Sequence, residues 1–170
     1  MLNKRLILGL LLPVLIGLTA CNRMAAQQYD SAEDFRVAPL NSGNELSITR
    51  YVGNKQTIRI PPRIEGKPVV AIGWEAFSRK EIISITIPNS VTDISDLAFA
   101  SNQLTSVTIP NSVITIGGGA FGDNQLTSVT IGANVELDTW AFYDGFPDFY
   151  NAQGRRAGTY TLSNGSWSVR

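Results

Sequence analysis

The chain has no histidine and a single cysteine, Cys21, among its 170 residues. These absences exclude zinc sites of the Cys/His kind and every His-dependent triad, because that chemistry needs imidazole or several thiolates. Charge is also scarce, at 16% of residues. Setting aside Lys4 and Arg5 near the start leaves 12 basic residues against 14 acidic ones. Nucleic acid is thereby excluded as a partner, since phosphate binding needs a clustered basic face. The longest apolar run, Leu6 to Leu18, is short for a membrane span. With 44% hydrophobic residues in a chain of this length, the composition is that of one ordered domain.

The N-terminus reads as an address. Lys4 and Arg5 precede the apolar run, and Leu18-Thr19-Ala20-Cys21 follows it. That segment resembles the bacterial lipobox, which implies that residues 1–20 are a signal peptide and that Cys21 becomes the lipidated first residue of the mature protein. Several acyl chains on one residue hold far more firmly than one, at about 0.8 kcal/mol per buried CH₂. Asn22, in place of an aspartate that would resemble an inner-membrane retention signal, favours the outer membrane or the cell surface. Residues 21–34, polar and rich in Ala and Gln, suit a flexible tether.

A repeat dominates the rest. The segment from Leu104 to Gln125 recurs in both directions, aligning with Ile82 before it and restarting at Leu126 after it. It sets up columns: Ile82, Leu104, Leu126; Ile85, Val107, Val129; Ile87, Ile109, Ile131; Val91, Val113, Val135; and Phe77, Phe99, Phe121. A period of about 22 residues is the mark of a solenoid. Val107 and Ile109 alternate with Ser106 and Thr108, as in a half-buried strand, and Pro110 closes it. Val113 to Ile116 reads as a second short strand across the coil. The stretch from Ile60 to Phe77 is longer than its counterparts Ile87 to Phe99 and Ile109 to Phe121, so an insertion falls around Glu65-Gly66-Lys67-Pro68. Phe142 falls one position short of a full period after Phe121, where the array is ending. The expected organisation is an N-terminal β cap over 35–59, about four coils over 60–145, and a C-terminal β-hairpin cap over 146–170 turning at Asn164-Gly165.

The pattern IPNSVxxIxxxAFxxNQLTSVTIP resembles the BspA-like, or treponeme-type, leucine-rich repeats of bacterial surface proteins, over roughly Phe35 to Trp167. The resemblance implies a right-handed, β-rich solenoid of short parallel sheets, and an envelope-exposed protein of adhesive or interaction type. Repeats of that family commonly carry cysteine three positions after the Phe; here Lys80, Asn102 and Asn124 stand there. An asparagine ladder at those positions is expected to satisfy backbone groups of the turns.

Three features compete for function. Gly117 to Gly122 satisfies GxGxxG, but the same columns read SDLAFA and GWEAFS in the neighbouring repeats, and a dinucleotide loop also needs a following helix and acid. No cofactor or metal is therefore expected. Asp93 and Asp96 form a close carboxylate pair within the repeats, yet the next repeat replaces them with Thr115 and Gly118, so no catalytic role is assigned. The outward rows Ser84, Ser106, Ser128 and Thr86, Thr108, Thr130 are the leading site, a strand face for a protein partner. Their competing explanation is that Ser and Thr are soluble and β-compatible. Trp140, Phe142, Tyr143, Phe146, Phe149 and Tyr150 read mainly as a cap, with Tyr143 and Phe146 expected at the surface. The alternatives to protein binding are carbohydrate binding through Trp140, Tyr143 and Phe146, and a purely structural envelope role.

Overall fold

The computed structural model describes residues 29–170. The signal segment, Cys21 and most of the tether lie outside the described residues. Two strands, β1 (Phe35–Leu40) and β2 (Glu45–Tyr51), form an antiparallel hairpin at the N-terminal end. β2 then pairs in parallel with β5 (Lys67–Ile72), so the hairpin is hydrogen-bonded to the coils it caps. A solenoid end would otherwise expose its core and its unpaired strand edge.

Each coil contributes two short strands. On one side run β3 (Thr57–Arg59), β6 (Ser84–Thr86), β8 (Ser106–Thr108) and β10 (Ser128–Ile131). On the other run β5, β7 (Asp93–Ile94), β9 (Thr115–Ile116) and β11 (Glu136–Leu137), all parallel and in register. The second side makes one continuous sheet from the N-terminal hairpin to β11. The first side is broken: β3 pairs with β6 and β8 with β10, but β6 and β8 belong to different sheets. The inserted residues fold as a small hairpin between β4 (Arg63–Ile64) and β5. Its turn residues Glu65 and Gly66 both have positive φ, at 51° and 78°, the twist a two-residue hairpin turn requires.

The columns are the core. Ile82, Leu104 and Leu126 are buried, as are the inward Ile58, Ile85, Val107 and Val129 of the strands. Phe77, Phe99, Phe121 and Phe142 form a stack with centroids 5.0 to 5.2 Å apart along the axis. Phe142 joins the stack although its repeat is one position short. The asparagines act as expected at the corners. Asn102 is buried; its Oδ1 accepts from the N–H groups of Lys80 (3.1 Å) and Ile82 (3.0 Å), and its amide donates to Phe77 O and Phe99 O. Asn124 repeats most of the pattern one coil later, bonding Leu104 N–H, Phe99 O and Phe121 O.

The C-terminal end differs from expectation in two ways. A helix, α1 (Phe146–Ala152), precedes the hairpin formed by β12 (Gly158–Ser163) and β13 (Ser166–Val169). Pro147 lies in its first turn, where a missing N–H costs nothing. Phe146, expected at the surface, is 0% exposed. Its ring packs against Phe142, Tyr150, Tyr160 and Trp167, the nearest at 4.8 Å. The last coil has no successor to cover its Phe, and Phe146 fills that place.

Candidate functional site on the strand faces

The Ser/Thr rows lie where the alternation puts them. In β8 and β10, Ser106 pairs with Ser128 and Thr108 with Thr130, while Val107 and Val129 between them point into the core. Ser84, Thr86, Ser106 and Thr108 are exposed, whereas Ser128 and Thr130 are half-buried. That difference has a cause absent from the repeat pattern. The C-terminal hairpin adds antiparallel to β10, bringing Thr161 beside Ser128 and Thr159 beside Thr130. The hydroxyls of Thr130 and Thr159 are 2.9 Å apart, and those of Thr161 and Ser168 are 3.1 Å apart. The hairpin thus extends the hydroxyl face over β12 and β13, giving Ser106–Ser128–Thr161–Ser168 across four strands. At the N-terminal end Thr57 and Arg59 flank Ser84 and Thr86, beyond the break between β6 and β8.

A face of this kind offers hydroxyl donors and acceptors at strand spacing, with few charges. It suits recognition by shape and hydrogen bonding more than electrostatic capture. No group in it has the geometry of a nucleophile beside a base.

Of the aromatic residues singled out in the sequence, Trp140 and Tyr143 are 67% and 52% exposed, and Phe146 is not at the surface. Tyr143 nevertheless has a structural role, its ring lying over Gly119 and Gly122. A Cβ at Gly122 would fall within 3 Å of that ring, and Gly119 has φ +63°. Two of the glycines in the GxGxxG string are thus accounted for by the ring they carry and the corner they turn. The carboxylates of Asp93 and Asp96 are held by local bonds: Thr92 and Thr115 hydroxyls donate to Asp93, and the N–H of Gly118 donates to Asp96 Oδ1 at 2.8 Å. Among the described residues no group of three or more acidic, Cys or His side chains is placed to hold a metal ion.

The one titratable group near the C-terminal cap whose carboxyl is pushed above the usual range is Asp144, because it is desolvated there; the bond it accepts from the N–H of Phe146 opposes the shift. Its task is at the start of α1.

Parallel two-strand coils, inward aliphatic columns and capped ends define the class: a leucine-rich-repeat solenoid. The chain belongs to the BspA type leucine rich repeat region family, whose sequence profile matches residues 53–145 in six copies. Proteins with this repeat are generally of surface or interaction type. Among solved structures, a leucine-rich repeat protein from Bacteroides capillosus is 25% identical, with a TM-score of 0.53, covering 68% of this chain and 92% of that one. The T. pallidum leucine rich repeat protein is 24% identical with a TM-score of 0.41, covering 59% of this chain and 70% of that one. A leucine-rich repeat protein from Bacteroides ovatus is 22% identical with a TM-score of 0.49 over 64% of this chain, which spans only 32% of that protein. No curated protein matches the chain.

Proposed function

We propose that this is a non-enzymatic lipoprotein of the bacterial cell envelope, anchored through Cys21 and displayed at the outer membrane or cell surface, that binds another protein through its hydroxyl-lined strand face. The observation that carries the reading is the continuity of that face. Ser106 and Thr108 lead through Ser128 and Thr130 into the C-terminal hairpin without a charged side chain in the paired rows. Solenoids use extended sheet surfaces of this kind for partners. The lipobox-like Leu18-Thr19-Ala20-Cys21 and the polar tether support display away from the membrane.

The test is made on intact cells. Surface proteolysis reports exposure, and crosslinking is compared between the natural chain and a Thr86→Lys, Thr108→Lys, Thr130→Lys variant. Crosslinked partners recovered with the natural chain and lost with the variant are expected; unchanged recovery removes this face from the reading. A Cys21→Ala variant should leave the membrane fraction, and its retention there would sink the lipid anchor.

A further inference from the structure

The opposite sheet carries a feature that neither the repeat core nor the hydroxyl face uses. Trp74 and Trp140 are among the most exposed large hydrophobic side chains, at 64% and 67%. Trp74 stands one repeat before Asp96, and the N–H of its neighbour Glu75 donates to Asp96 O.

Trp74 borders a groove of about 600 Å³, lined also by Asp93, Asp96, Thr115, Glu136 and Asp138. Its glycine floor is required by the packing, since a Cβ on Gly117 would collide with Asp96 Oδ1. All four carboxylates are exposed, and among the described residues none is in an ion pair with Lys or Arg. Three are oriented by the chain itself: Asp93 by two threonine hydroxyls, Asp96 by Gly118 N–H, and Asp138 Oδ1 by Trp140 N–H at 2.8 Å. The groove therefore combines one exposed indole with an uncompensated row of negative charge, three of whose four carboxylates are oriented by the fold.

We propose that this groove binds an extended polypeptide segment rich in arginine or lysine. Charge complementarity selects the occupant: a cationic side chain gains from each carboxylate, and a guanidinium stacked on an indole face adds a cation–π contact. An extended chain advances about 3.3 Å per residue with alternate side chains on one face, so a basic residue over Trp74 is followed at i+2 by one over the carboxylates. An anionic polymer is repelled by the same row.

The full-length chain is titrated by fluorescence anisotropy with a labelled short peptide alternating arginine and serine, against a glutamate–serine counterpart and a neutral glucan oligosaccharide. Saturable binding of the basic peptide alone is expected, weakening about tenfold or more as salt rises toward 1 M, where the Debye length shrinks to about 3 Å. Trp74→Ala should weaken it by about threefold or more, consistent with the loss of a cation–π contact, whereas Trp140→Ala, outside the groove lining, should not. Glu136→Gln, whose side chain has no hydrogen-bond partner among the described residues, should weaken it and flatten the salt dependence while leaving the melting temperature unchanged. Thr108→Ala with Thr130→Ala, on the opposite face, should not alter it. Absence of saturable basic-peptide binding, equal binding of the acidic peptide, or glucan binding as the only tryptophan-dependent event overturns the proposal. Because the hydroxyl-face variants are read separately, failure here leaves the protein-binding reading of the other face intact, and the reverse also holds.

Discussion

Tyr51 stacks on Phe77 with ring centroids 5.6 Å apart and planes inclined by only 19°, although their separation in the chain does not match the repeat period. The N-terminal hairpin thereby supplies the first rung of the aromatic column, and Phe35 packs against both rings. The column runs unbroken from Tyr51 through Phe142 to Phe146. Phe121 lies within it, with a ring on each side.

Phe121→Ala should therefore cost roughly 3 to 5 kcal/mol of stability, because neighbouring coils locked by their own backbone ladders cannot collapse into the space. Denaturant unfolding measures it. A near-neutral result would mean that the stack is not a stabilising core.

Asn102→Ala should be more destabilising than Asn124→Ala. Asn102 is buried and its Oδ1 serves two backbone N–H groups, whereas Asn124 is half-buried and its Oδ1 serves one. Each buried group left without a partner costs about 1 to 3 kcal/mol. Paired chemical denaturation curves decide the order, and equal losses would contradict the geometry.

Gly122→Ala should destabilise by about 1 to 3 kcal/mol, the usual penalty for overpacking, because the new methyl meets the Tyr143 ring. Adding Tyr143→Ala should recover much of that loss, while Tyr143→Ala alone costs less. A double-mutant cycle without coupling between the two sites would place the ring elsewhere.

Stability should fall in alkali. Burial pushes the phenols of Tyr51, Tyr150 and Tyr160 above the ordinary value of 10.0, with a bond from Lys55 N–H opposing the shift at Tyr51 and one from Val135 N–H opposing it at Tyr150. A group whose folded pKa is raised contributes stability that is complete below its unfolded pKa and is lost as pH rises through the folded value. Absorbance titration should show these three phenols ionising late, together with unfolding above pH 10. Reversible ionisation of all the tyrosines at their ordinary value, with the fold intact, would refute their burial.

Inside the repeats, the sequence was nearly sufficient. Val107 and Val129 face inward and Ser106 and Ser128 outward because a strand alternates with period two, and the duplication repeats that choice in each coil. The asparagine corners followed from the same columns. Phe146 was misplaced for the opposite reason: it occurs once, in a segment with no column to compare, so its burial depends on partners as distant as Tyr160 and Trp167. The helix around it was hidden as well, since its seven residues are too few to show a helical period.

The sequence by itself determined the solenoid, its coil length, the inward columns and the two outward rows of hydroxyls, because each is a local periodicity enforced by strand geometry and repeated chain-wise. Only the tertiary structure decided how the ends close and what the faces become. It set Tyr51 and Phe146 at the two ends of one aromatic stack, laid the terminal hairpin antiparallel beside β10 so that the hydroxyl face widens, and gathered Trp74 with Asp93, Asp96, Glu136 and Asp138 around one groove. Those relationships join residues that no local pattern connects. They arise because exposed backbone edges and uncovered rings at the ends of a stack must find partners, and the nearest available partners are far away in the chain.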